Sequence, residues 1–532
     1  MRTLIDRWSP SAGVFLALIK LLQLLRRCGV RPQEDGFRRA TRVLFRTQES
    51  HACMAAFGLN ASRPLVTTDA LGSSIDHARL LIQLRDFLAT RPDMQKRLRW
   101  ERWQARVVKR ETMDIVKVGF TEDGRLDTCV PFLDPQAPHP GADCDSLLVV
   151  CRELVHAYNQ THHHPDRRRP RDLRRSLLRR LEATPGASPA TRRERARSAD
   201  RLLSAIWVAI ETVPAHDHFQ TRLKPPPLGE RLGPGSGGFV ITARLYPSLH
   251  MMDLWFDFHH ALFDGAPFAE LLADLERWWG IRAPLVLPSL QPFESTRPHV
   301  RCSAPGPKES WVVEDCVDFT PLLKERMSMQ AGLDRRANRE RVGVLSLLLW
   351  RFAHVVRHRD IKFTIAVEVP PAPGRERTLG IAAIRPAAFF DTHDPYQAFA
   401  AFNRELNRRI SQTRERRSET YELVESISLL PAPLYPVALA LLGKGIRECL
   451  GTIGVSVLRN TPMVVPAQSD IHVDGFIGYG RYDLPTEDGG RAGVVMVKGP
   501  TEAIDDHLQA IRAAVCSEFG GRVAGRGHRR SV

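Results

Sequence analysis

The residues of this 532-residue chain that are best placed for chemistry are two adjacent histidines, His259 and His260, followed by Asp264 and Gly265. A histidine can accept a proton near neutral pH, which suits a general base. Asp264 can hold the intervening turn through a hydrogen bond or an ion pair, and Gly265 can adopt backbone angles closed to other residues. The spacing therefore favours acid–base chemistry at a tight turn.

The segments on either side of the histidines have the patterns of a strand and a helix. Residues 249–258 alternate in polarity and form, with residues 239–245, a predicted hairpin that has one buried face. Asp253, Trp255 and Asp257 share the other face of this strand. Residues 266–279 carry an apolar stripe at helical spacing. A strand end followed by a helix would hold a histidine rigidly and leave it within reach of a substrate.

The run His259-His260-Ala261-Leu262-Phe263-Asp264-Gly265 resembles the HHxxxDG signature of the chloramphenicol-acetyltransferase-like acyltransferase superfamily. This superfamily includes plant-type acyl-CoA transferases, nonribosomal condensation domains and wax-ester synthases. The resemblance implies that His260 is the catalytic base and that Asp264 has a mainly structural part in the catalytic motif. The resemblance also implies that His259 belongs to the catalytic motif together with His260 and Asp264, and that Gly265 has a structural role.

The reaction implied by this resemblance is direct acyl transfer from a thioester. His260 would remove the proton of a hydroxyl or amine acceptor while that atom attacks the carbonyl of an acyl-CoA or a carrier-bound acyl group. Coenzyme A would be a cosubstrate, and no metal or tightly bound cofactor is needed. The tetrahedral oxyanion needs a hydrogen-bond donor, for which Ser456 and Asn460 in the second half of the chain are the candidates.

Three functional interpretations stay open at this point. The first is an acyltransferase of lipid or secondary metabolism whose acceptor is a small molecule or a lipid. The second is a condensation-type enzyme that takes its donor from an acyl-carrier protein. The third is a binding protein that retains the acyltransferase fold without catalysis.

Helices and strands alternate in both halves of the chain, which predicts an α/β or α+β fold with two lobes. The resemblance specifies a chloramphenicol-acetyltransferase-like fold, with mixed sheets flanked by helices and an active-site channel between the lobes. We expect a helical leader at 1–60, an N-terminal lobe at 61–290, a C-terminal lobe at 291–520 and a basic tail at 521–532. The N-terminal lobe would carry a basic insertion at about 145–230, in which residues 166–201 are interpreted as a solvated stretch with an amphipathic helix around residues 173–181.

The formal net charge of +16 is spread over many segments. The densest basic stretches, 167–180 and 192–201, contain no aromatic residue that could stack on a base, so a nucleic-acid partner is not favoured. Nine cysteines without a CxxC pair indicate a reducing compartment, hence the cytoplasm. His156, the histidines at 162–164 and Asp166 are interpreted as a solvated helix end, and no metal site is predicted.

The most apolar segment, residues 14–25, is shorter than the ~20 residues that span a bilayer and is interrupted by Lys20 and Gln23. It is followed by Arg26 and Arg27. An apolar helix with a basic end packs against the protein or lies at a membrane surface. Peripheral membrane contact therefore stays open beside a cytoplasmic location.

Overall fold

The computed structural model describes most of the regular structure of the chain. The described residues are 10–30, 50–58, 66–69, 72–100, 105–110, 112–121, 125–132, 144–162, 172–185, 188–213, 238–247, 251–259, 262, 265–279, 300–303, 309–336, 340–355, 361–373, 377–390, 394–427, 429–430, 453–457, 463–466, 475–479, 484–485, 491–500, 509–511 and 513–515.

The helices of these ranges are distributed along the whole chain. They are α1 (Pro10–Arg27), α2 (His77–Ala89), α3 (Cys144–His162), α4 (Asp172–Ala183), α5 (Pro189–Leu202), α6 (Gly265–Trp279), α7 (Thr320–Arg335), α8 (Val344–Val355), α9 (Pro395–Arg414) and α10 (Glu419–Ile427). No helix among the described residues has the length and apolar character needed to cross a membrane.

The strands lie between the helices in both halves of the chain. They are β1 (Ser50–Gly58), β2 (Val66–Asp69), β3 (Gly72–Ile75), β4 (Lys96–Trp100), β5 (Ala105–Lys109), β6 (Ile115–Phe120), β7 (Leu126–Phe132), β8 (Ile206–Thr212), β9 (Phe239–Tyr246), β10 (Met251–His259), β11 (Val300–Ser303), β12 (Glu309–Asp318), β13 (Phe363–Val369), β14 (Thr378–Ile384), β15 (Ile453–Val457), β16 (Met463–Pro466), β17 (Gly475–Tyr479), β18 (Leu484–Pro485) and β19 (Arg491–Pro500).

The first large sheet has the strand order β16-β1-β10-β9-β8-β6-β7. Strand β10 is paired on both sides, antiparallel to β1 and to β9. Strands β9, β8 and β6 are parallel to one another. The edge strand β16 comes from the second half of the chain and pairs with β1 through His51 and Pro466. This sheet is therefore completed by a segment that lies about 200 residues further along the sequence than β10.

The second large sheet has the order β11-β12-β19-β17-β15-β13-β14, with β18 added beside β19. Strands β13, β15 and β17 are parallel, and the remaining pairs are antiparallel. Buried residues of β13 and β14 form one apolar core with α7, α8 and α9, centred on aromatic side chains such as Phe352, Phe363 and Phe399. Mixed sheets flanked by helices confirm the predicted α/β class.

Helices cover both faces of the first sheet. One apolar cluster packs α2 and α6 against β9 and β10. A second cluster packs α3, α4 and α5 against Trp207 and Ala209 of β8 and Val240 of β9. The amphipathic helix predicted around residues 173–181 forms as α4 and buries Leu177. Ala199 of α5 is buried in this second cluster as well, so the described part of residues 166–201 is solvated on one side only.

The hairpin of β9 and β10 forms as predicted, with Tyr246 opposite Met251. The prediction that it has a single buried face is wrong. All eight residues of β9 are buried, and Asp253, Trp255 and Asp257 have no exposed surface. The cause is the covered second face of the sheet, which the alternation of polar and apolar residues does not reveal.

The segment expected to be a helical leader contains both a helix and a strand. Helix α1 packs against α10, where Arg26 lies 3.8 Å from Glu425. Strand β1 is the neighbour of β10 in the first sheet. The expected insertion at about 145–230 supplies α3, α4, α5 and the interior strand β8. The boundaries of the two lobes stay predictions.

Candidate functional site

The histidine-containing run connects the end of β10 to the start of α6. His259 is the last residue of β10 and Gly265 the first residue of α6. Between them Leu262 is half-buried and packs against the cluster beneath α6. The predicted base His260 and the predicted structural residue Asp264 lie outside the described residues. The structure thus fixes the two ends of the motif, six peptide bonds apart along the chain.

Aromatic packing holds this strand end and this helix together. Phe256 and Phe258 of β10 project onto the face that α6 covers. The ring of Phe258 stacks on Phe268 of α6 with 4.5 Å between centroids, and Phe256 meets the same ring edge-on at 5.5 Å. Pairs of this kind add to the energy of area burial. The strand before the motif and the helix after it are therefore packed rigidly against each other.

Gly238, which precedes β9, is part of the same anchor. Its φ of +86° lies in the left-handed region that favours glycine. A Cβ at this position would come within 2.9 Å of a methyl group of Leu262 and within 2.8 Å of Leu98. The absence of a side chain at residue 238 allows Leu262, inside the motif, to approach the start of β9.

The face of β10 away from α6 carries buried ionisable groups. Arg244 of β9 donates a hydrogen bond from Nε to Oε2 of Glu211 at 2.7 Å, and its guanidinium lies 5.9 Å from the ring centroid of Trp255. Asp253 lies opposite Arg244 in the strand register, and Asp257 lies four residues further along β10. Both aspartates are fully buried.

Asp257 is the group with the most unusual environment. Neither of its carboxylate oxygens has a hydrogen-bond partner among the described residues. Burial raises the pKa of Asp257 to about 8, and the positive charge of Arg244 opposes part of that rise. A carboxyl group with this pKa exchanges its proton near neutral pH, two residues before His259. Sequence reasoning missed this residue, because alternation placed it on an open face. The only signal was an acidic residue inside an aromatic-rich strand.

Two links bring the second half of the chain to the neighbourhood of the motif. His51 of β1 is in register with both Phe258 of β10 and Pro466 of β16, so β16 ends level with the last residues of β10. In addition, Arg377 donates from Nη1 to Oε1 of Glu270 on α6 at 2.7 Å. These links were not foreseen from the sequence, since they join distant segments.

The oxyanion candidates are not brought to the motif by the described strand pairings. Ser456 is half-buried on β15 in the second sheet, where it is in register with Gly478 of β17. Asn460 lies outside the described residues. His156 and His162 lie on α3, and His156 is exposed. Within the described ranges no three His, Cys, Asp or Glu side chains are grouped as metal ligands.

Comparison with known proteins gives matches in structure alone. No family model matches the chain, and no curated protein matches it. The chain is similar to a wax ester synthase/diacylglycerol acyltransferase from Marinobacter aquaeolei VT8, with 11% identity and a TM-score of 0.38 over 91% of this chain and 98% of that one. It is also similar to a trichothecene 15-O-acetyltransferase from Fusarium sporotrichioides, with 10% identity and a TM-score of 0.42 over 91% and 94%.

A third solved structure is a condensation domain that releases the chain of the enacyloxin polyketide synthase, with 13% identity and a TM-score of 0.41 over 91% of this chain and 81% of that one. The three solved structures are thus two acyltransferases and a condensation domain, the kinds of protein whose signature the run of residues 259–265 resembles. At these identities and TM-scores the similarity assigns no activity to this chain.

Proposed function

We propose that the chain is an acyltransferase that moves an acyl group from a thioester to a hydroxyl or amine acceptor, with His260 as general base. The observation that carries this proposal is the position of the HHxxxDG run. It joins the end of β10, a strand inside the first sheet, to the start of α6, and both elements are fixed by the Phe258–Phe268 stack. A base must be held rigidly to act in a transition state, and this junction is suited to hold it.

The reaction would proceed in two balanced steps. A ring nitrogen of His260 accepts the proton of the acceptor O–H or N–H while the acceptor atom bonds to the thioester carbonyl carbon. The resulting oxyanion then collapses, the C–S bond breaks, and the departing thiolate takes the proton from His260. Ser456 and Asn460 are the candidate donors to the oxyanion, and His259, Asp264 and Gly265 would hold the turn in shape.

The donor in this proposal is coenzyme A or an acyl-carrier protein bearing a thioester. Coenzyme A would act as a cosubstrate that leaves as a free thiol, so no bound cofactor takes part. The acceptor would be a small molecule or a lipid. The buried face of β10 supports a site here, because an ionisable group such as Asp257 is costly to bury and groups of this kind concentrate at functional sites.

The experiment is free-thiol release from acyl-CoAs of graded chain length, in the presence of mixed alcohols and amines. We expect His260→Ala to lower the rate by about 10²- to 10⁴-fold, the range for loss of a general base. His156→Ala, which removes an exposed histidine of α3, is the matched control and should leave the rate unchanged. Circular dichroism should show both variants folded.

The other interpretations are separated by the same experiment. If no acyl-CoA releases thiol but a carrier-bound acyl group is transferred, the enzyme is of the condensation type. If neither donor reacts and wild type still binds acyl-CoA, the chain is a binding protein with this fold. Equal rates for wild type and His260→Ala would show that His260 is not the base and would overturn the mechanism.

A further inference from the structure

The apolar surface of α1 is exposed to a degree that is unusual for this chain. Its side chains Leu21, Leu24 and Leu25 are 53%, 56% and 40% exposed, and Val30, just after the helix, is 47% exposed. A single exposed leucine is ordinary, whereas a cluster of them on one element marks an interaction surface. The cluster is therefore a candidate contact surface.

Helix geometry separates an outer and an inner side of α1. With about 100° of rotation per residue, Leu21, Leu24, Leu25 and the exposed Cys28 lie on one stripe. We call this stripe the outer face of α1. Leu22, on the other side, is 5% exposed.

The inner side of α1 fixes the helix to the rest of the protein. Arg26 follows Leu22 by one helical turn and pairs with the buried carboxylate of Glu425 on α10 at 3.8 Å. The helix is thus held in place by its inner side, and the outer face is left to solvent.

Positive charge borders the outer face. The exposed cations Lys20 and Arg27 lie along one edge of the stripe, at neighbouring positions of the helical wheel. The helix contains no Asp or Glu. A surface of leucines with cations along its border is complementary to a layer that is apolar inside and negatively charged at its boundary.

We propose that the outer face of α1 docks the protein onto an anionic lipid surface. The leucines would enter the boundary between headgroups and acyl chains, and Lys20 and Arg27 would contact lipid phosphates. A second copy of the chain fits this face less well. A two-fold contact would bring the cations of the two helices together, with no acidic residue on either helix to compensate. The inference goes beyond the proposed acyl transfer and does not depend on it.

The test is co-sedimentation of the full chain with vesicles of phosphatidylcholine alone or mixed with phosphatidylglycerol. We expect binding to the mixed vesicles that weakens as salt is added. The variant Leu21→Ser/Leu24→Ser/Leu25→Ser should lower the partition coefficient by at least about tenfold on both vesicle types. The variant Lys20→Glu/Arg27→Glu should bind the mixed vesicles more weakly than wild type and should bind the phosphatidylcholine vesicles as wild type does.

The control variant Leu148→Ser/Met327→Ser removes two other exposed apolar side chains, which are 63% and 71% exposed on α3 and α7. It should bind the mixed vesicles like wild type. Equal binding of wild type and the triple serine variant would overturn the proposal. The proposal would also be overturned if wild type bound no vesicles and formed a dimer in analytical ultracentrifugation, and if the triple serine variant were a monomer. His260→Ala should bind vesicles normally, so a failed acyl-transfer proposal would leave this result unaffected.

Discussion

Strands β10 and β13 are both interior strands of large sheets, but they differ in whether their acidic side chains are buried. Along β13 buried and partly exposed residues alternate, and its carboxylate, Glu368, is 43% exposed beside Arg377. Along β10 every residue from 252 to 258 is buried, and the two carboxylates Asp253 and Asp257 are buried with them. The second sheet thus follows the usual rule for acidic side chains, and the first sheet violates it next to the motif.

The burial of acidic side chains on β10, but not on β13, indicates that the region around β10 is less stable than an apolar core would be. A buried carboxylate without hydrogen bonds favours the unfolded state, unless it binds a proton. Such a group is expected where a site needs it, and Asp257 lies two residues from His259. Apolar residues would have packed this face of β10 more stably. We therefore interpret the buried face of β10 as part of the candidate site.

The largest expected effect on stability comes from placing a buried carboxylate on β13, as β10 has. Ile365 is 2% exposed and lies in an apolar core, with Phe363 and Val367 on the same face. Ile365→Asp should destabilise the protein by about 4 kcal/mol or more, because the new carboxylate would be buried among apolar side chains. The urea midpoint, followed by circular dichroism, measures this change. Ala366→Asp, on the half-buried face, is the control and should shift the midpoint much less. A small shift of the urea midpoint in both variants would show that β13 tolerates a buried acid as β10 does.

The next largest effect is expected for Arg244, the cation of the buried face. Arg244→Met keeps most of the volume and leaves the neighbouring carboxylates without that charge. We expect a loss of about 2 kcal/mol, in the range for a buried group that loses a charged partner. Arg174→Met is the control, because Arg174 pairs with Asp200 at 2.6 Å at the surface, where such pairs contribute little. The prediction fails if the urea midpoints of the two variants fall equally.

Local patterns in the sequence were sufficient for the elements that frame the motif. The alternation of residues 249–258 and the stripe of 266–279 predicted β10 and α6. These predictions succeed because periods of 2 and 3.6 are set by neighbouring residues. His259 and Gly265 take the expected places at the strand end and the helix start.

Long-range packing was the part that the sequence did not predict. Strand β1 (SHACMAAFG) has little alternation, so its pairing with β10 and β16 is not visible locally. The burial of Asp257 depends on a second covered face of the sheet, to which helices α3, α4 and α5 contribute, and these lie in a segment interpreted as an insertion. The difference between β10 and β13 is therefore a property of the tertiary structure.

A smaller effect, with a distinctive pH dependence, is expected for Asp257→Asn. The pKa of Asp257 is about 8 in the folded protein and near its ordinary value of 3.8 in the unfolded chain. Between these values the folded state binds the extra proton, so wild-type stability falls as the pH rises from about 4 to about 8. The amide does not titrate, and its advantage over wild type should grow across this range.

The advantage of Asp257→Asn over wild type should be larger at pH 8 than at pH 5.5, and the hydrogen bonds that the buried amide also lacks lower it equally at both pH values. Thermal unfolding at pH 5.5 and pH 8 measures the change. Parallel stability curves for wild type and variant would mean that Asp257 is ionised throughout this range. If Asp257 also supports the motif, thiol release should fall in the same variant although its stability rises.

The smallest effect is expected for Glu368→Gln, the same change of carboxylate to amide on β13. Glu368 lies 3.0 Å from Arg377, both side chains are partly exposed, and Arg377 also pairs with Glu270 of α6. An exposed pair of this kind contributes less than about 0.5 kcal/mol, and Arg377 keeps a second acidic partner. The melting temperature should therefore change little, and by the same amount at pH 5.5 and pH 8. The result gives the Asp257→Asn experiment its reference, because the two variants make the same chemical change on interior strands and differ in burial. If Glu368→Gln shows the pH dependence predicted for Asp257→Asn, burial is not the cause of that dependence. The carboxylates of β10 and β13 would then not differ in their effect on stability.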